Sequence, residues 1–141
     1  MRLFIILIVL LSFKTLSAQD ISKQKWKHRV LLIFTSEENA EDYKIQLSFL
    51  KNSEEGFKER QLIIYEVLPN QYKSTLYKTK SNWKKEKQLY KKHMNFEDKF
   101  KVVLIGLDGK IKKIKNTPLT KQQLFGIIDA MPMRQSETQK N

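Results

Sequence analysis

Thr35, Ser36, Glu37, Glu38 and Asn39 directly follow a run of five apolar side chains, VLLIF, at positions 30–34. A hydroxyl beside carboxylates at the end of a buried strand has the parts of a nucleophile and a general base. The base must lie within hydrogen-bond reach, however, and adjacent helical residues such as Glu37 and Glu38 point about 100° apart. The two histidines, His28 and His93, show no spacing that pairs them with Ser36 or with a third metal ligand, so no metal and no cofactor is expected. A simpler reading explains the same five residues. Thr35 or Ser36 caps a helix, and Glu37 and Glu38 favour its positive end.

Arginine offers a second kind of chemistry. Beyond residue 18 the chain has three arginines, Arg29, Arg60 and Arg134, against twenty-two lysines. Arginine where lysine is the default points to a geometric need, such as two parallel hydrogen bonds to a carboxylate. Arg60 and Arg134 are therefore candidates for holding an acidic substrate. The preferred alternative is an internal ion pair with Glu59, Asp129 or Glu137. A third candidate is the lysine surplus. Residues 71–101 carry ten lysines against Glu86, Glu97 and Asp98, and the whole chain is formally +12. Lys84, Lys85, Lys91 and Lys92 are the lysines singled out as a face for a polyanion, although lysine lacks the planar fork that suits phosphate. There is no cysteine. Thiol redox catalysis, iron–sulfur clusters and cysteine zinc sites are excluded outright.

The elements that position these groups follow from periodicity. Arg2 followed by an apolar stretch at 3–13 and Leu16-Ser17-Ala18 reads as a secretory signal peptide over residues 1–18, cleaved after Ala18. The mature chain is then secreted or periplasmic, with no stable membrane anchor and no disulfides. Residues 19–28 are expected to be a flexible lead-in, 29–134 one domain, and 135–141 a frayed tail. The all-apolar 30–34 run belongs in the middle of a sheet covered on both sides. A helix is expected over 39–51, with Ala40, Tyr43, Leu47 and Leu50 on one face and Gly56 in a left-handed turn beyond it. QLIIYEV at 61–67 is the second strand and FKVVLI at 100–105 the third. Between them, 70–82 is irregular, and 82–95 is expected to be a helix carrying Trp83, Tyr90 and Met94 on a narrow stripe. Asp108-Gly109 signals a hairpin into a lysine-rich edge strand at 110–115. Thr120 and Gln123 have capping-box spacing, Leu124, Ile127, Ile128 and Met131 line one helix face, and Pro132 ends that helix. The order βαβαββα, with a parallel first pair and an antiparallel last pair, predicts an α/β fold of thioredoxin-like type: a four-stranded mixed sheet flanked by three helices.

With the elements placed, RVLLIF at 29–34, Tyr43 with Gln46-Leu47, FKER at 57–60, VLIG at 103–106 with Asp108-Gly109, and IDAMPMR at 128–134 carry a resemblance. Over about residues 26–137 the chain resembles the domain of unknown function 4174 family, also called the peroxiredoxin-like P-DUDES domain. The resemblance implies a thioredoxin-like fold and a secreted setting, as in the extracellular-matrix proteins and short exported bacterial chains that carry the domain. It implies no activity, because the family has none assigned and generally lacks peroxidase cysteines. Gln61 stands where relatives often carry an acidic residue, and the lysine-rich 73–92 stretch falls in a part that looks variable. In redox proteins of this fold a thiolate occupies the start of the first helix; Thr35 and Ser36 fill that place here. The expected role is that of an exported, non-catalytic binding domain for a protein, an anionic glycan or another polyanion, with nucleic acid disfavoured by export. The alternative is an enzyme of non-thiol chemistry that uses Ser36 or Thr35, or Arg60 and Arg134, on an acidic substrate.

Overall fold

A computed structural model describes residues 20–140 of the chain. The leader expected at 1–18 lies outside the described residues. Strand β1 (Arg29–Thr35) is buried along its whole length. It pairs in parallel with β2 (Leu62–Leu68) and antiparallel with β6 (Phe100–Ile105), so both of its edges are hydrogen-bonded. The sheet runs β4-β3-β2-β1-β6-β7, with β3 (Gln71–Leu76), β4 (Thr79–Lys80), β5 (Lys84–Lys85) and β7 (Ile111–Lys115); β5 pairs with β3 off this path. The four expected strands are β1, β2, β6 and β7, in the thioredoxin-like arrangement, and β3, β4 and β5 widen the sheet beyond them.

Because successive strand residues face opposite sides, the sheet separates two cores. One face carries Leu31, Ile33, Leu62, Ile64, Val102 and Leu104. It is covered by α1 (Glu41–Phe49), α2 (Glu54–Glu59) and α4 (Lys121–Asp129), through Tyr43, Phe57, Leu124 and Ile128. The other face carries Val30, Leu32, Phe34, Tyr65 and Val103, and packs against Leu89 and Met94 of the α3 (Gln88–His93) region. The Thr120–Gln123 capping box forms as expected at the start of α4. Gly109, at φ 77°, turns the β6–β7 hairpin, and Asp108 accepts a bond from the Lys110 N–H at 3.0 Å. As expected, β7 lies at the sheet edge.

Four local expectations are corrected. First, α1 begins only at Glu41, with Ala40 at its cap and no side-chain cap. The Thr35 hydroxyl instead closes a local turn, donating to the Glu37 carbonyl at 2.8 Å, which is the usual competition of hydroxyl side chains with helix starts. Second, the left-handed residue after α1 is Asn52 (φ 54°), and Gly56 lies inside α2. A Cβ on Gly56 would sit 2.6 Å from the Phe125 ring, so close approach is what requires glycine there.

Third, residues 70–82 are not irregular and 82–95 is not one helix. A β-hairpin occupies the first segment, turned by Tyr77 at φ 54°, and only Gln88–His93 is helical in the second. Lys84, Lys87 and Lys91 would repel one another at helical spacings of three and four. Glu86 settles the start by accepting the Gln88 and Leu89 N–H bonds at 2.6 and 3.0 Å. Trp83 packs under Lys73 rather than on a helix stripe. Fourth, Pro132 opens a further helix, α5 (Pro132–Gln139), where a fraying tail was expected from 135. Proline suits the first helical position because its missing N–H has no partner to lose there. The lead-in at 20–28 is likewise held in place: Trp26 N–H bonds the Leu107 carbonyl at 2.7 Å, and Tyr72 donates to Asp20 at 2.7 Å.

Candidate functional site

The turn after β1 is where this fold would place a reactive group. Thr35 is fully buried, and its hydroxyl is bonded to both the carbonyl and the N–H of Glu37. The Ser36 N–H is taken by the Lys99 carbonyl at 3.0 Å. Among the described residues, no hydrogen bond links either hydroxyl to a histidine or a carboxylate side chain. A nucleophile needs such a base, and the turn is organised instead by its own backbone.

The arginines meet in one place. Arg60 donates from Nε and Nη2 to the two Asp129 oxygens at 2.9 and 2.8 Å, and its guanidinium lies 4.0 Å over the Phe125 ring. Arg134, 5% exposed, bonds the Glu59 carboxylate at 2.7 Å, the Glu59 carbonyl at 3.0 Å and Asp129 at 3.2 Å. Arg29 is fully buried beside them, and donates to the Arg60 carbonyl at 2.9 Å and to Glu137 at 3.0 Å. Three guanidinium groups thus face Glu59, Asp129 and Glu137, and this clasp ties α2, β1, α4 and α5 together. Burial alone would raise the Asp129 carboxyl, but the bonds from Arg60 and Arg134 outweigh it and hold the group below the usual carboxylate range. The expected internal ion pairs are present. Both candidate substrate-holding arginines already have carboxylate partners within the chain.

The lysines are placed differently. Lys84 and Lys85 form the short strand β5, and Lys91 and Lys92 lie on α3; all four are exposed. Lys84 reaches Asp20 at 3.7 Å and lies 5.8 Å over Tyr72. Lys85, Lys91 and Lys92 form no ion pair among the described residues. The four lysines are thus carried by a strand and one short helix rather than by the single helix expected.

Two features have no simple sequence signal. Residues 20–28, α3 and the β6–β7 hairpin enclose a cleft of about 380 Å³, and both histidines line it. His28 is bonded through Nδ1 to Gln24 at 2.7 Å, and His93 stacks on Phe34 with ring centres 5.1 Å apart. Burial, with Lys27 nearby, lowers the His28 pKa; burial, with Lys92 and Lys101 nearby, lowers that of His93. Both rings are therefore neutral near pH 7. On the opposite face, buried Glu66 accepts the Tyr43 hydroxyl at 2.5 Å and faces Lys73 at 3.6 Å, while Lys73 lies 4.6 Å over Trp83. Burial, then the Glu66 bond, raises the Tyr43 hydroxyl far above its ordinary pKa, so it stays protonated as a donor. Tyr43 stands 23 positions before Glu66 and on a different element, as does Lys73, so folding brings the three together. Among the described residues, no group of three or more histidines, aspartates or glutamates could hold a metal ion.

A sheet with a parallel β1–β2 pair, an antiparallel β6–β7 extension and helices on both faces defines a thioredoxin-like protein. The chain belongs to the family described as Domain of unknown function (DUF4174), which it matches over residues 20–137. A crystal structure of reduced Plasmodium vivax 2-Cys peroxiredoxin shares the fold, with TM-score 0.59 and 15% identity, over 83% of this chain and 72% of that one. No curated protein matches the sequence. With no cysteine in the chain, the likeness extends to the fold and not to thiol chemistry.

Proposed function

We propose that the protein is an exported, non-catalytic thioredoxin-like domain that binds an acidic glycan or similar polyanion through the face carrying Lys84, Lys85, Lys91 and Lys92. One observation carries this reading: every arginine after residue 18 is neutralised inside the fold, whereas Lys85, Lys91 and Lys92 stand exposed without a carboxylate. Residues 71–101 hold ten lysines against three carboxylates, and the exposed lysines among them attract an extended anion. Export rests on the signal-peptide pattern read at residues 1–18. N-terminal sequencing of material recovered from outside the cytoplasm should begin at Gln19.

Heparin chromatography tests the face itself. Retention should be lost at modest salt, because exposed charges are screened over about 10 Å at 0.1 M ionic strength. Lys85→Glu with Lys91→Glu should elute well before the parent protein. Lys58→Glu with Lys121→Glu, the same charge change on the helices of the other face, should shift elution far less. Equal shifts would reduce the attraction to net charge and remove the face from the reading. The catalytic alternative has no comparable support: Thr35 is committed to a backbone turn, and Arg60 and Arg134 to internal carboxylates.

A further inference from the structure

The floor of the 380 Å³ cleft is Val30 and Leu32 of β1 with Ile105 of β6, all buried aliphatic side chains. Ile21, Leu89 and Ile111 add further apolar surface. None of these six side chains can make a hydrogen bond, so an occupant must present an apolar body to them. The volume lies at the small end of ligand pockets, which span roughly 300–1,000 Å³.

The charges around the cleft are one-sided. Lys25 and Lys92 both line it, both are exposed, and neither forms an ion pair among the described residues. Its carboxylate, Asp108, is already engaged by Lys112 Nζ at 2.9 Å and by the Lys110 N–H at 3.0 Å. A neutral apolar occupant would leave the two ammonium groups unused. A polyanion has no apolar surface to cover the floor. An amphipathic monoanion satisfies both parts of the site.

We propose that this cleft binds a small amphipathic carboxylate of the medium-chain fatty acid class. Its chain lies over Val30, Leu32 and Ile105, and its headgroup faces Lys25 and Lys92. The site is distinct from the polyanion face and shares only Lys92 with it.

Decanoate is the probe, kept below its micelle concentration and titrated into the mature protein while methyl NMR resonances are followed. Saturable shifts are expected at Val30, Leu32, Leu89 and Ile105, with butyrate giving none and decanol binding at least about tenfold more weakly. Lys25→Glu with Lys92→Glu should weaken decanoate about tenfold or more. Ile111→Asp, at a half-exposed position on the edge strand, should do the same. Should Ile111→Asp fail to fold, the surface lysine pair keeps the test intact. No saturable shift at those methyl groups, or decanol binding as tightly as decanoate, overturns the proposal. Lys85→Glu with Lys91→Glu separates the two sites. It should bring heparin elution well forward and leave decanoate affinity unchanged, so that either reading can fail without the other.

Discussion

Replacing Glu137 by glutamine tests whether α5 is clasped to the fold through the arginine cluster. The substitution keeps the shape and one acceptor oxygen but removes the charge facing Arg29. That guanidinium is fully buried; Nη2 donates to Glu137 at 3.0 Å, Nη1 to Glu137 at 3.4 Å and to the Arg60 carbonyl at 2.9 Å, and Nε has no partner. Removing one member of a fully buried ion pair costs about 3–5 kcal/mol. The Glu137 side chain is 29% exposed, and water can partly solvate what remains, so the expected cost is about 2 kcal/mol. At roughly 4 °C per kcal/mol for a domain of this size, the melting temperature should fall about 8 °C. Arg29→Met should cost less than Glu137→Gln, because it removes the buried charge rather than abandoning it. In the Arg29→Met background, Glu137→Gln should then cost under about 0.5 kcal/mol. Urea denaturation of the four proteins in this cycle measures each quantity. If Glu137→Gln is silent in the parent protein, α5 is not held by this clasp and the reasoning fails.

Two other substitutions probe positions that chemistry, rather than bulk packing, appoints. Gln46→Leu leaves the buried Leu119 N–H and C=O without the bonds of 2.7 and 2.9 Å that the Gln46 amide supplies, and should cost about 2–4 kcal/mol in urea denaturation; a loss under about 1 kcal/mol would mean that water replaces the amide. For His93, burial lowers the folded-state pKa, so below pH 6.5 the unfolded chain binds the proton more readily. The stabilisation is full above pH 6.5 and fades as pH falls toward the lower folded value, and His93→Gln should flatten that part of the stability–pH curve; an unchanged slope would place the acid sensitivity elsewhere.

Strands β1, β2, β6 and β7 were legible because their signals are local. VLLIF is apolar at every position since β1 is covered on both faces, and Asp108-Gly109 turns because glycine accepts a φ of 77°. Thr120 and Gln123 cap α4 by contacts three residues apart. The misread segments are those in which a distant residue decides. Trp83, Tyr90 and Met94 share a helical stripe on paper, yet Lys73 of the neighbouring strand holds Trp83, and Glu86 delays the helix. Residues 135–139 are polar enough to read as a tail, and distant partners hold a helix there: Arg29, more than a hundred positions earlier, bonds Glu137, and Glu59 bonds Arg134. The arginine candidates were legible in kind, because scarce arginine among lysines marks bidentate pairing. The cleft was not, since His28, Leu89 and Ile105 become neighbours only when three separate segments fold over one sheet face.

The register of β1 separates the place where a redox protein of this fold would work from the place where this chain has an opening. Thr35 stands opposite Phe100, and Val30 stands opposite Ile105. Five residues of strand put roughly 16 Å between those two ends. At the Thr35 end the backbone is closed on itself, and the first turn of α1 carries its own acids, Glu41 and Asp42, which already complement the helix dipole. An anionic ligand brought to that helix start would meet those carboxylates. At the Val30 end the floor is apolar, the carboxylate is neutralised by lysine, and Lys25 and Lys92 have no carboxylate partner among the described residues. Electrostatics therefore favours an anion at the second end and opposes it at the first. On the proposed reading, a thioredoxin-like sheet does not tie binding to the β1–α1 turn: this turn holds no thiol, its helix-start charges serve stability, and the proposed ligand site lies among lysines at the opposite end of the same strand.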